Sequence, residues 1–355
     1  MPSITERSPV PKLSICISTF NRAAYIGATL DCILDQVTAD CEVVVLDGAS
    51  SDGTEQLVSE YARRHHCVRY FRQDVNNGVD RDYDRVVELA RGEYCWLMTD
   101  DDLLKQGAVE AVLHALTQDL SLVVVNIEFV DLNISRILQP RWLQFDSDRL
   151  YEADEMDRLF ADVGDFLKYI GGTVIKRSIW LARKREPYYG SWFVHVGVIF
   201  QKMLPGRAQV IARPLISHRT GNANTFSSKV AEILLLRWPS LLESLAVSEA
   251  ARKKVKSSEF WRYPSALLRL RAEGSYRWGD YCRWIRPKLL PVWLKWVSAL
   301  VAVLPGTLLN SVFIIYYSTI TWRSHGIWQS EYRVYMLKAS PFFLGNWRAP
   351  KDGAG

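Results

Sequence analysis

The chain has 355 residues, is 48% hydrophobic and 23% charged, and carries a net charge of +5. That is enough for one large domain or two ordinary ones, and it excludes a disordered chain and a small disulfide-stapled scaffold. The mean charge conceals an asymmetry: residues 1–250 hold 27 Lys/Arg against 34 Asp/Glu, whereas residues 251–295 hold 12 against 3. Nine of the 13 tryptophans lie at or after Trp238. Basic residues mixed with tryptophan and apolar stretches suit an anionic lipid surface, and no nucleic-acid motif is present.

Residues 1–12 form a polar, proline-containing tail without the apolar centre of a signal peptide, which points to a cytoplasmic protein. Six cysteines without a C-x-x-C pair, with Cys16, Cys41 and Cys95 in strand-like runs, predict buried free thiols. A short apolar strand at 13–18 leads through Thr19-Phe20-Asn21-Arg22 into a helix to about residue 37. A second strand, 41–46, ends in Asp47-Gly48-Ala49-Ser50-Ser51-Asp52-Gly53-Thr54, and a helix capped by Ser51 or Asp52 follows to about 64. A third strand at 68–72, the loop Asn76-Asn77-Gly78, a helix to 91 and a fourth strand at 94–98 complete an alternation of strands and helices. The pattern predicts a parallel sheet with helices on both faces.

The fourth strand runs straight into Thr99-Asp100-Asp101-Asp102. Open α/β sheets bind ligands at this edge. Adjacent carboxylates raise each other's pKa unless a cation is shared among them, and oxygen ligands of this kind suit Mg²⁺ or Mn²⁺ together with substrate phosphates. The plainer alternative makes Asp102 the cap of a helix over 103–116 and its neighbours first-turn charges.

Four motifs in order, I-S-T-F-N-R at 17–22, V-V-L-D-G-A-S-S-D-G-T at 44–54, N-N-G-V-D-R-D at 76–82 and G-E-Y-C-W-L-M-T-D-D-D at 92–102, resemble the nucleotide-sugar-dependent glycosyltransferases of family 2. Within that family the last two runs are most similar to abequosyltransferase-type enzymes of bacterial surface-polysaccharide (O-antigen) assembly. The resemblance implies a GT-A fold, Rossmann-like and mostly parallel, and inversion at the anomeric carbon. It places Thr19 and Phe20 at the nucleotide base, with Arg22 in the same motif, and makes Asp47 an acceptor for the base. Asp100 then faces the ribose and Asp101 holds the metal, while Asp102 is a second metal contact or only a cap. Asp80 and Arg81 are candidates for the nucleotide side. The sequence departs from the usual pattern at Ser18, where proline is common, and at Gly48, where a second aspartate is frequent. By an alternative alignment Thr99 stands at the first aspartate of the metal motif.

The nucleotide-sugar half is expected over 13–120 and the acceptor side over 121–226, with strands near 121–130 and 171–177. Relatives often carry a Glu-Asp pair here whose aspartate is the base; this sequence has none. His195, in Ser191-Trp192-Phe193-Val194-His195, and Asp165 are the two candidates. The run 216–224 resembles an H-R-x-G-N loop in which His218 completes the metal shell and Arg219 reaches the diphosphate, or else it is a surface turn. Residues 227–355 read as a helical, basic, Trp-rich region. Leu234 takes the glutamine position of a Q-x-x-R-W-like run ending at Trp238, which favours one sugar per encounter. Residues 296–322 carry no formal charge but are broken by Pro305-Gly306, which favours two membrane-interface helices within 289–322, with a single span or a buried hairpin as the alternatives.

The reading is therefore a transferase using a nucleoside-diphosphate sugar and a polyprenyl-diphosphate-linked glycan on the cytoplasmic face of the inner membrane. One rival is a sugar nucleotidyltransferase, which calls for a glycine-rich loop absent after the first strand. The other is a non-catalytic membrane-associated scaffold.

Overall fold

A computed structural model describes residues 10–222, 229–255, 262–319 and 327–345. The tail before residue 10, Ala223 and Asn224 of the His218 loop, and positions 320–322 of the uncharged run lie outside the described residues. The chain divides into two compact units, one formed by 1–127, 143–217 and 245–247 and the other by 128–142, 218–244 and 248–355.

The first unit opens with the alternation β1 (Leu13–Thr19), α1 (Ala23–Leu34), β2 (Cys41–Asp47), α2 (Thr54–Arg64), β3 (Val68–Arg72), α3 (Val79–Leu89) and β4 (Tyr94–Met98). The chain continues with β5 (Leu103–Leu104), α4 (Ala108–Ala115), β6 (Leu122–Val130), β7 (Ile137–Gln139), β8 (Arg149–Tyr151), α5 (Met156–Val163), β9 (Thr173–Lys176), α6 (Arg177–Leu181), α7 (Val194–Phe200) and β10 (Ala208–Arg219), of which β7 and the last residues of β6 and β10 belong to the second unit. The strand order is β3-β2-β1-β4-β9-β6-β10-β5. Every residue of β2 and β4 is buried, as befits parallel strands covered on both faces.

The first four strands are parallel. Strand β9, however, runs antiparallel to both β4 and β6, so the sheet is mixed rather than mostly parallel. Strand direction leaves no mark on a fully buried apolar run, and Thr173–Lys176 reads alike in either sense. The helix expected at 103 also starts later. Leu103 and Leu104 pair with Ser217 and Ile216 of β10, and α4 begins at Ala108 after Gly107, whose φ is +77°. Tertiary pairing has overridden helix propensity at those two leucines, and Asp102 is not a helix cap.

Strand β1 lies between β2 and β4, with Thr19 level with Asp47 and Ile17 level with Met98. The three loops that begin at Phe20, Gly48 and Thr99 thus leave the sheet side by side. At the opposite edge, a Cβ on Gly92 would lie 2.5 Å from Ser14 Oγ and 2.7 Å from Ser14 N. Only glycine allows its amide to donate to Ser14 Oγ at 2.8 Å.

The second unit is largely helical and includes α8 (Pro264–Ala272), α9 (Val292–Val303), α10 (Gly306–Thr319) and α11 (Ile327–Lys338). Leu267, Leu270, Tyr276, Tyr281, Ile285, Val301 and Ala302 form a buried core there. Asn310 Nδ2 donates to Ala272 O at 3.1 Å and Leu337 O at 2.8 Å, tying α10 to the ends of α8 and α11. Helices α9 and α10 meet at a 97° bend. All six cysteines are free, with Cys16, Cys41 and Cys95 buried.

Candidate active site

The loops after β1 and β2 hold one another. Asn21 sits at φ +56°, its amide donates to Ser50 Oγ at 2.9 Å, and its Oδ1 accepts from Ser51 N at 2.7 Å. Arg22 N donates to Thr54 Oγ1 at 2.9 Å and Ala23 N to Asp52 Oδ2 at 3.1 Å. An asparagine tolerates the left-handed conformation better than most residues. The backbone turn it makes directs the following arginine.

Arg22 Nε stands 3.6 Å from Asp100 Oδ1 and its Nη2 3.7 Å from Asp101 Oδ2. One guanidinium therefore gathers two neighbouring carboxylates. Burial pushes the Asp100 carboxyl up to about 6, against the opposing pull of Arg22. Asp47 is fully buried; its Oδ1 accepts from Ser50 N and its Oδ2 from the Tyr70 hydroxyl, each at 2.8 Å. A carboxylate has about four lone-pair sites, so both oxygens retain capacity for a ligand donor. Phe20, beside these groups in sequence, is 39% exposed.

Asp102 is held differently. It is fully buried, and its Oδ2 accepts from Thr99 Oγ1 at 2.5 Å and from the Tyr169 hydroxyl at 2.7 Å. Its backbone carbonyl accepts from Thr29 Oγ1 at 3.0 Å. These bonds make Asp102 the brace of the acidic loop.

Among the described residues, no group of three or more His, Cys, Asp and Glu side chains is arranged to hold an ion. Asp100 and Asp101 nevertheless fit a divalent cation of the kind completed by substrate phosphates, since Mg²⁺ commonly takes one or two carboxylates. They already converge on a single positive group, and burial leaves Asp100 short of compensating charge.

The base candidates separate clearly. His195 is fully buried in α7, its Nε2 donates to Leu167 O at 2.7 Å, and burial lowers its pKa to about 4. A neutral imidazole enclosed in this way holds the Phe166–Lys168 turn in place and cannot meet an acceptor hydroxyl. The reading of His195 as base is corrected on that ground: Val194–Phe200 is buried throughout, and an apolar run of that kind encloses its histidine. Asp165, at the start of the same turn, is partly exposed and pairs with Lys168 Nζ at 2.9 Å. Tyr169, which grips Asp102, closes the turn.

Helix α3 supplies what the sequence did not disclose. Asp80, Asp82 and Asp84 are all buried. Asp80 accepts from Trp192 N at 2.8 Å and Val194 N at 3.0 Å, so its carboxylate fixes the 192–194 segment. Asp84 accepts from Trp180 Nε1 at 2.9 Å, Arg185 Nε at 3.0 Å and the Tyr189 hydroxyl. Arg81 is exposed, with its guanidinium 4.7 Å from the centre of the Tyr189 ring. Asp82 accepts from Gln73 Nε2 at 2.6 Å, and a Cβ on Gly48 would come within 3.0 Å of its Oδ2. The Asp82 carboxylate thus lies directly against Gly48. The D-R-D-Y-D run at 80–84 is the signal in the sequence.

Residues 14–182 match the family model described as Glycosyl transferase family 2. The abequosyltransferase RfbV of Salmonella typhimurium is 27% identical over 61% of this chain and 69% of its own length. A Campylobacter jejuni GalNAc(5)-diNAcBac-PP-undecaprenol beta-1,3-glucosyltransferase is 29% identical over 51% of this chain and 57% of its own. The match to that second relative therefore spans a little over half of its length.

Residues 14–182 are a family 2 glycosyltransferase domain. The chain is a glycosyltransferase, and its fold agrees with solved structures. S. aureus TarS 1-349 in complex with UDP superposes with a TM-score of 0.54 at 13% identity, covering 92% of this chain and 90% of TarS 1-349. The mannosyltransferase PcManGT from Pyrobaculum calidifontis, in complex with GDP-Man and Mn2+, gives 0.52 at 14% identity, covering 93% and 87%. In the glycosyltransferase, Thr19, Arg22, Asp47, Asp100 and Asp101 lie at adjoining strand ends of the first unit. His218 and Arg219 belong to the second unit, where the His218 ring lies edge-on to Phe129 at 5.4 Å and Arg219 Nη1 donates to Leu132 O at 2.7 Å.

Proposed function

We propose that this family 2 enzyme is an inverting, metal-dependent transferase of bacterial surface-glycan synthesis. It moves one sugar from a nucleoside-diphosphate donor to a lipid-linked acceptor at the cytoplasmic face of the inner membrane. The observation that carries the reading is the convergence of Asp47, Asp100, Asp101 and Arg22 at the ends of β1, β2 and β4. Relatives named as acting on a polyprenyl-diphosphate glycan or transferring abequose support the acceptor and the pathway class.

In this mechanism Asp47 accepts a hydrogen bond from the base, against which Phe20 offers its exposed ring. Asp101, with Asp100, would hold Mg²⁺ or Mn²⁺, which when bound neutralises charge on the departing diphosphate. Arg22 keeps the two carboxylates together and adds its own positive charge beside the phosphates. Asp165 takes the proton of the attacking hydroxyl, a role open to it because its turn is fixed by His195 beneath and by the Tyr169–Asp102 bond. Displacement in a single in-line step inverts the anomeric carbon.

The test is a transfer assay over a panel of nucleoside-diphosphate sugars with polyprenyl-diphosphate-linked saccharides, in Mn²⁺ and in EDTA, following nucleoside diphosphate release and the anomer formed. Release dependent on both acceptor and Mn²⁺, with inversion, is the expected result. Release unaffected by EDTA, or retention of configuration, would overturn it.

A further inference from the structure

Helices α9 and α10 each divide into a packed side and an open side. On α9, Leu294, Ser298, Val301 and Ala302 are buried, and the Tyr276 hydroxyl donates to Ser298 O at 3.1 Å. The opposite side carries Trp293, Trp296 (73% exposed), Leu300 (60% exposed) and Val303, spaced three or four residues apart, with the fully exposed Leu289 leading into them. On α10 the open side is Leu308, Val312, Ile315 (62% exposed) and Tyr316, while Gly306 and Asn310 face inward. Side chains at this spacing form one stripe on a helix. Leaving two such stripes of tryptophan and branched aliphatics in water is costly, and apolar surface of this extent marks an interaction site.

Charge indicates what covers it. Residues 262–295 hold eight Lys/Arg against two Asp/Glu, and 296–319 hold none of either sign. Arg277, Arg283 and Arg286 are exposed, and Lys295 Nζ, within α9, donates to Arg286 O at 3.0 Å, which holds the Arg286 segment beside the start of the α9 stripe. A protein partner with an apolar groove would not need this basic border, whereas a bilayer presents hydrocarbon beneath anionic headgroups. Neither helix is long enough to cross: 12 and 14 residues extend about 18 and 21 Å at ~1.5 Å per residue, against a hydrocarbon core of about 30 Å. The 97° bend between them prevents their adding up to one straight span.

We propose that the open faces of α9 and α10, bordered by Arg277, Arg283, Arg286 and Lys295, form a shallow insertion surface for an anionic bilayer, entered by Trp293, Trp296, Leu300, Val312 and Ile315. This deepens the membrane location proposed above by naming the surface, and it does not depend on the sugar chemistry.

The experiment is sedimentation of the full chain with phosphatidylcholine vesicles, with and without phosphatidylglycerol, alongside quenching of tryptophan fluorescence by lipids brominated along the acyl chain. The wild type sediments with phosphatidylglycerol vesicles and is quenched. Trp296→Asp with Leu300→Asp lowers vesicle affinity at least ~tenfold, because buried apolar area sets interfacial binding. Arg283→Glu with Arg286→Glu lowers it more than about tenfold on anionic vesicles and little on neutral ones. All four positions are exposed or project from the open face, so circular dichroism is unchanged. Failure of the wild type to bind either vesicle, or equal binding by the Asp variants, overturns the proposal. So does a concentration-dependent dimer that the Asp variants dissociate, which would make this a self-association face. No donor or acceptor is present, so a negative result leaves the transferase reading standing, and loss of transfer alone leaves this one standing.

Discussion

His195 and Asp100 show how burial alone assigns different tasks to two titratable groups. The folded pKa of His195, about 4, lies below its ordinary value of 6.5, so the unfolded chain binds the extra proton between those values. The stability that neutral His195 contributes is present above pH ~6.5 and lost as pH falls toward 4. His195→Gln keeps a donor for Leu167 O without the titration. Its unfolding free energy, measured by urea denaturation, should decline less steeply over that window, by up to about 1.4 kcal/mol per pH unit, while transfer persists. A loss of turnover with unchanged pH dependence of stability would return His195 to the chemistry. For Asp100 the sign is opposite. Its carboxyl, raised from 3.8 to about 6, leaves the folded state holding the extra proton, so this residue favours folding least above pH 6. A cation bound there competes with that proton, and Mn²⁺-dependent donor binding should weaken as pH drops through about 6, which calorimetry at stepped pH would register.

At the scale of elements, α3 is the member that joins the two sides of the first unit. The Tyr83 hydroxyl donates to Met98 O at 3.0 Å at the end of β4, while Asp80 and Asp84 one turn apart hold the 180–194 segment. Asp80→Ala removes two charge-assisted bonds and should destabilise the protein by about 2 kcal/mol in urea, with donor binding retained once folded; weakened nucleotide binding at unchanged stability would restore a nucleotide role to Asp80. Gly92→Ala forces a Cβ against Ser14 and should cost about 1–3 kcal/mol, seen as a lower denaturation midpoint. The first four strands and the helices between them were readable because buried parallel strands and amphipathic helices carry different periodicities. The direction of β9 and the pairing of Leu103–Leu104 with β10 were not, since both are settled by distant partners. In the site, strand-end acids were legible as chemistry wasted on a structural role, whereas the burial of His195, Asp80 and Asp82 depended on neighbours remote in sequence.

For the whole molecule, the charge asymmetry seen in composition corresponds to two physical tasks, an acidic strand edge that gathers positive charge and a basic helical region with open apolar faces. The central claim concerns the first of these. Titration calorimetry of the wild type and Asp101→Ala with UDP, CDP, GDP and dTDP, each with and without Mn²⁺, tests it most directly. The account predicts that one nucleotide binds the wild type selectively and only with Mn²⁺, and that Asp101→Ala loses at least ~tenfold in affinity, since losing even an outer-shell partner of a metal site costs about 10–100-fold. Equal binding by Asp101→Ala in Mn²⁺, or no nucleotide binding by the wild type at all, would contradict it.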